Sequence, residues 1–171
     1  MSVKIYRNDK EIEHDLVRSP SIEIGGSAYK EIINAVYEIP YRKPRAPFHS
    51  PDLVEDDHER QYLMKRIDDC IVILLAEDRN SRRAVYANLY PSEMCKCICL
   101  VHLFLRDQKL YINEYYRSQN YQRNYGYDCD TACMLMEKAL GMINKYCAFE
   151  VDKVTAGSIT VFCSNLHIKV K

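Results

Sequence analysis

The chain has 171 residues, 47% of them hydrophobic, which is enough to fill one core and too few for two domains of ordinary size. Its 24 lysines and arginines are balanced by 24 aspartates and glutamates, so there is no excess positive charge to grip duplex nucleic acid through counterion release. The longest apolar run, Cys70 to Ala76, falls far short of the roughly 18 residues of a membrane span, and the opening residues lack a signal-peptide core; a cytoplasmic chain with no membrane partner is expected. The 8 cysteines include no CxxC pair and are expected as thiols rather than metal ligands.

Residues 1–20 are charged and weakly patterned, which predicts a surface arm or an edge strand. Ser21 to Ile24 alternate as a strand, and Gly25, Gly26 and Ser27 form a turn whose serine caps a predicted helix from Ala28 to about Glu38. Four prolines between Ile39 and Pro51 predict a long loop. The spacing of Tyr62, Leu63, Ile67, Ile71 and Leu74 predicts a second helix over about 56–76. RAVYANLY, ICLVHLFLR and LYINEYYR read as strands, the last two joined as an antiparallel hairpin through Asp107, Gln108 and Lys109. After the tyrosine-rich loop SQNYQRNYGYD, Thr131 to Tyr146 read as a helix, and ITVFCSNLHIKV closes the chain as a strand. The expected architecture is α/β (α+β): one domain over 1–171, with a mixed, mostly antiparallel sheet packed by helices.

Several anchors stand in a recognisable order. Ser81, Arg82 and Arg83 open a strand after a helix. Cys97 lies 20 residues before Arg117, across the hairpin FLRDQKLYINEYYRS, and Arg117, Ser118 and Asn120 are followed by the loop ending in Asp128. VTAGSITVFCSNLHIK then brings Gly157, His167 and Lys169. Residues of about 56–170 resemble the thymidylate synthase and pyrimidine hydroxymethylase family. The resemblance implies a thymidylate synthase-like fold and a homodimer in which Arg82 and Arg83 reach the partner's substrate phosphate. It also implies Cys97 as nucleophile, Arg117, Ser118 and Asn120 in the place of the family's RSxD, Asp128 in the place of its base-reading asparagine, and His167 and Lys169 at the sugar. It further implies a pyrimidine nucleoside monophosphate as substrate and 5,10-methylenetetrahydrofolate as one-carbon donor. Lys96 and Ile98 flank Cys97 where the family has proline and histidine, Asn120 replaces aspartate, and Lys169 replaces tyrosine. The chain ends at Lys171, before the family's folate-closing tail, so nucleotide binding is the firmer expectation.

The chemistry agrees with these placements. A thiolate adding to C6 of a pyrimidine makes C5 nucleophilic, which is the task for Cys97; alternatively, Cys95, Cys97 and Cys99 are small apolar residues of a buried strand. Arg82, Arg83 and Arg117 suit phosphate oxygens, or form a solvated basic surface. A carboxyl group at position 128 accepts from the cytosine N4 amine and, when protonated, donates to N3; alternatively, Asp128 is a helix N-cap. His167 and Lys169, on one strand face, suit sugar hydroxyls or plain surface. The expected reaction is C5 hydroxymethylation of a cytidine-type monophosphate, with a non-catalytic nucleotide binder or a divergent thymidylate synthase as alternatives.

Overall fold

Along the chain run β1 (Lys4–Tyr6), α1 (Asp9–Arg18), β2 (Ser21–Ile24), β3 (Ser27–Ile39), α2 (Val54–Ala76), β4 (Val85–Ala87), β5 (Ile98–Arg106), β6 (Lys109–Tyr116), β7 (Gln119–Asn120), α3 (Tyr125–Lys145) and β8 (Thr155–Lys169). The structure, a computed structural model, describes residues 3–44, 54–77, 79–87, 97–145 and 153–170, with residues 54–59 as backbone alone. The strands form one open, mixed sheet of order β1-β3-β8-β6-β5-β4, with β2 paired to β3 and β7 paired to β8. Pairs β1–β3, β6–β8 and β7–β8 are parallel and the rest antiparallel. The helices pack over the sheet face that carries Tyr37, Val101, Ile112 and Val161. No helix among the described residues is long and apolar enough to cross a membrane.

The predicted second helix, the three central strands and the closing strand are all present. The β5–β6 hairpin closes through Asp107 and Gln108, whose φ values of 50° and 57° are those of a two-residue type I′ loop. The proposed helix over 28–38 is instead β3. Gly25 and Gly26, at φ 55° and 75°, make another two-residue hairpin that folds β3 onto β2, so Ser27 starts a strand and caps nothing. The first 20 residues are more than an arm. β1 is an edge strand as expected, but α1, capped by the Asn8 side chain on the Glu11 N–H, buries Ile12 and Leu16 in the core. α3 begins at Tyr125 rather than Thr131, and the Asp128 N–H already bonds the Asn124 carbonyl at 2.8 Å, so Asp128 lies inside the first turn and is not the N-cap. Of the predicted proline-rich loop, residues 40–44 are irregular and 45–51 lie outside the described residues, as do the strand residues 88–90 and Tyr146 at the end of the predicted third helix.

One irregularity runs across the sheet. The buried side chains step by three instead of two from Ile32 to Ala35 on β3, from Cys163 to Leu166 on β8, and from Tyr116 to Gln119 between β6 and β7. These breaks lie side by side, because Ile32 pairs with Leu166, Ala35 with Cys163, Cys163 with Tyr116 and Leu166 with Gln119. Asn34, at the break, has φ 56°. On β5 a bulge between Ile98 and Leu100 makes the same shift one pair further along.

A second bulge, on β8, sets Gly157 and Ser158 opposite Tyr111 and seats Gly157 against β6. A Cβ there would stand 2.7 Å from the Leu110 carbonyl oxygen and 2.9 Å from the Tyr111 ring, closer than packed atoms allow. Gly157→Ala is therefore expected to destabilise the fold by about 1–3 kcal/mol through overpacking, read as a lower urea midpoint at unchanged slope.

Candidate functional site

The break in the sheet separates residues that simple alternation would keep together. Cys97 stands just before β5, with its carbonyl accepting the Arg117 N–H at 2.9 Å, and lines a small cavity on the helix side of the sheet. The β5 bulge turns Cys99 to the other side, where it lines a separate cavity. Without the bulge, residues two apart would share a face.

The helix-side cavity, about 50 Å3, joins Cys97 to Asp128, with Tyr116, Tyr127, Arg60, Asn124 and Thr131 as its other polar or aromatic walls. Arg60 is only 5% exposed; its Nε donates to the Thr131 hydroxyl at 3.0 Å, and its guanidinium lies 3.8 Å from the centre of the Tyr127 ring. Asp128 accepts the Gln119 side-chain amide at 2.7 Å, and the Gln119 carbonyl oxygen in turn accepts the buried Tyr37 hydroxyl. Behind Tyr116 lies Glu114, fully buried, accepting the Tyr116 hydroxyl at 3.3 Å. Burial first, and the Asp128 charge second, push the Glu114 carboxyl up to about 8.

On the opposite side of the sheet a cavity of about 350 Å3 follows the line of the break. Arg117, exposed, borders it beside Asn34 and Ser164, and Tyr116 borders both cavities as a shared wall. Ser118 Oγ is 3.4 Å from His167 Nδ1, and the His167 ring meets Tyr29 edge-on at 5.7 Å. Burial lowers the His167 pKa, opposed by a backbone hydrogen bond at Asn165 and the charge of Glu31, so neutral imidazole is favoured. Asn120 pairs with His167 in register, and its side-chain oxygen accepts the N–H groups of Gln122 and Arg123, which orders the turn into α3. Lys169 is exposed opposite Tyr29 at the strand end.

Of the residues predicted from sequence, the structure thus joins Cys97 with Asp128 in one cavity, and Arg117, Ser118, Asn120 and His167 along the break beside it. Arg82 and Arg83 are exposed ahead of β4 and border neither cavity; the Arg83 guanidinium holds Glu77 at 2.8 Å. Arg60, Glu114, Tyr116 and Gln119 were not singled out from sequence. Two of them carried a signal. Arg60 continues the buried stripe of Leu63, Ile67, Ile71 and Leu74 one turn earlier, and Glu114 interrupts the buried alternation of Leu110, Ile112 and Tyr116. A charge on an apolar stripe marks a site more often than an error of patterning.

Among the described residues no cluster of three or more His, Cys, Asp or Glu is placed to hold a metal. No family model matches this chain, and no curated protein matches it in sequence.

The thiols divide by surroundings. Cys70, Cys129, Cys133 and Cys163 are buried, and burial pushes Cys70 up to about 11, Cys163 to about 12, and Cys129 and Cys133 upward as well. Cys97 and Cys99 are part-exposed. A thiol alkylating agent applied to the native protein is expected to label Cys97 and Cys99 before those four, as read by peptide mass mapping; equal labelling of all six would contradict the packing described.

Proposed function

We propose that this chain binds a pyrimidine nucleoside monophosphate and adds a one-carbon unit, most simply hydroxymethyl, to C5 of a cytosine-type base. The observation that carries the proposal is the meeting of Cys97 and Asp128, far apart in sequence, in a single cavity whose remaining walls include a buried guanidinium and two tyrosines. Arg60 shares the cavity with the thiol and is placed to favour a thiolate. The Cys97 sulfur forms the bond to C6, and the C5–C6 π pair moves toward C5 as an enamine. C5 then takes the one-carbon electrophile and loses its proton, and elimination returns the sulfur. Asp128 accepts from the N4 amine, while Arg117 and Ser118, on the adjoining segment, face the phosphate side and His167 the sugar.

A cavity of about 50 Å3 holds one or two water molecules rather than a nucleotide. Binding therefore requires a wall to move, and the wall facing the 350 Å3 cavity is Tyr116. Among the described residues, no space of the size of 5,10-methylenetetrahydrofolate, the donor implied by the resemblance, lies beside Cys97. Exchange of the C5 proton, which needs only the C6 adduct, is the activity that tests these residues.

Release of tritium from C5-labelled CMP and dCMP is expected from the wild type, to vanish in Cys97→Ser, and to persist in Cys99→Ser; equal loss in both would point to strand packing. Calorimetric titration is expected to show CMP or dCMP bound more tightly than UMP or dUMP. Asp128→Asn should move that preference toward uracil by roughly 1–3 kcal/mol, about 5-fold to 150-fold, because the wrong base leaves a buried group unpaired. Uracil preference in the wild type would remove the case for cytosine.

A homodimer belongs to the same proposal. The sheet face away from the helices carries the stacked rings of Phe104 on Tyr111 and Tyr115 on Phe162, with exposed Ile5 and Val85 nearby in the sheet, and a second copy of that face would cover it. Arg82 and Arg83 border neither cavity of their own chain, and in the dimer Arg82, and Arg83 once it releases Glu77, would serve the partner. Light scattering is expected to give a dimer, and heterodimers of Arg82→Ala with Cys97→Ala chains should regain part of the exchange activity that each parent lacks.

A further inference from the structure

Glu114 is the residue the sheet has least reason to hold. It is 0% exposed, and its partners across the sheet are Val101 on β5 and Val161 on β8, both fully buried. Its Oε2 accepts the Tyr116 hydroxyl at 3.3 Å, and its Oε1 has no hydrogen-bond partner among the described residues. An ionised carboxylate in such a place is strongly disfavoured and a neutral acid is not. The groups that face it are Asp128, Cys129 and Cys133 from α3, Tyr116 on its own strand, Tyr37 on β3 behind Tyr116, and Arg60 of α2 across the cavity that Tyr116 and Asp128 line. Burial and then the Asp128 charge raise the Glu114 carboxyl to about 8, against the opposing hydrogen bond from Tyr116. The thiols and phenols around it are raised above their own ordinary values, so they titrate at higher pH.

We propose that Glu114, held as a neutral acid, is a positioning residue of the candidate site: it leaves the negative charge of the Glu114–Asp128 pair on Asp128, which holds the Gln119 amide. This extends the proposed function, in which Asp128 faces a pyrimidine base. Ionisation of Glu114 sets a second negative charge next to Asp128, and an anionic nucleotide then meets a doubly charged pocket.

The sign follows from linkage. Glu114 is protonated in the fold but ionised in the unfolded chain between its ordinary 4.5 and about 8, so its contribution to stability is full below that window and is lost as pH rises through it. Nucleotide binding is likewise full while the proton is held, and weakens by about tenfold per pH unit above the transition where only the protonated form binds.

CMP titrated into Cys97→Ser protein, in which the thiol does not contribute, should show this alkaline fall in affinity. In Cys97→Ser/Glu114→Gln, which keeps a neutral group at the same place, the fall should disappear. Infrared spectra of ligand-free wild-type protein carrying isotope-labelled glutamate should show a protonated, buried glutamate at neutral pH that is lost on alkaline titration. This second measurement requires neither a bound nucleotide nor a folded variant. Absence of CMP binding at every pH, with the protonated glutamate present, overturns the nucleotide proposal and with it the functional part of this assignment, leaving Glu114 a neutral structural acid. Absence of a protonated glutamate at neutral pH, or an alkaline fall that Glu114→Gln leaves unchanged, overturns the assignment of Glu114 itself.

Discussion

A strand buries every second residue, and a sheet that keeps this rule across its width presents one apolar face and one open face with nothing between them. Here β3, β8 and the β6–β7 segment break the rule at one level, and β5 breaks it one pair away. Because the breaks are in register, the strands stay paired on both sides and the sheet bends without separating. The bend leaves space on both faces of the same line, so the two cavities have a common origin and a common wall. Cys97, Arg117 and His167 belong to three different strands or their ends, and what brings them to one region is this shared step.

The same constraint explains the polar chemistry beneath α3. At the step, backbone groups and side chains that alternation would have aimed at solvent are carried inward. Gln119 takes a buried place in this way, and it links Tyr37 to Asp128 in a continuous run of hydrogen bonds. Arg60 and Glu114 complete the set from elements that are otherwise apolar on that face. Each costs the fold desolvation energy that an aliphatic residue would not, and a stability argument alone gives no reason for either. Polar groups of opposite kinds converging on one small cavity next to a thiol are the pattern that favours a working site over a packing accident.

Much of the architecture was legible because its signals were local. The apolar spacing of α2 and the short, β-branched runs of β5 and β6 specified those elements directly, and Cys97 and Asp128, both singled out from the sequence, line one cavity. What misled was the step itself. In β3 the apolar residues Ile32, Ile33, Val36 and Tyr37 stand at helical spacing, but the buried positions are Ile32 and then Ala35, Tyr37 and Ile39, because the kink at Asn34 shifts a strand alternation midway. α1 was missed since its core contribution rests on two residues, Ile12 and Leu16, in a segment otherwise charged. The separation of Cys97 from Cys99 was beyond any period count, because a bulge is a pairing property and appears only once β5 lies against β6.

The smallness of the cavity beside Cys97 is consistent with a site whose resting state is closed. Tyr116 is packed at 5% exposure, yet its only described side-chain hydrogen bond is the 3.3 Å contact with Glu114, near the outer limit for an O–H donor. Moving the ring would cost little hydrogen-bond energy and would join about 50 Å3 to about 350 Å3, connecting the Cys97 and Asp128 side with the Arg117 side. A ligand long enough to touch both sides recovers that cost through contacts made only in the opened state, whereas a ligand confined to one side does not. Under the proposed function a base alone would reach one cavity and a nucleotide would span both, so the partition itself would discriminate by length before any hydrogen bond reads the base.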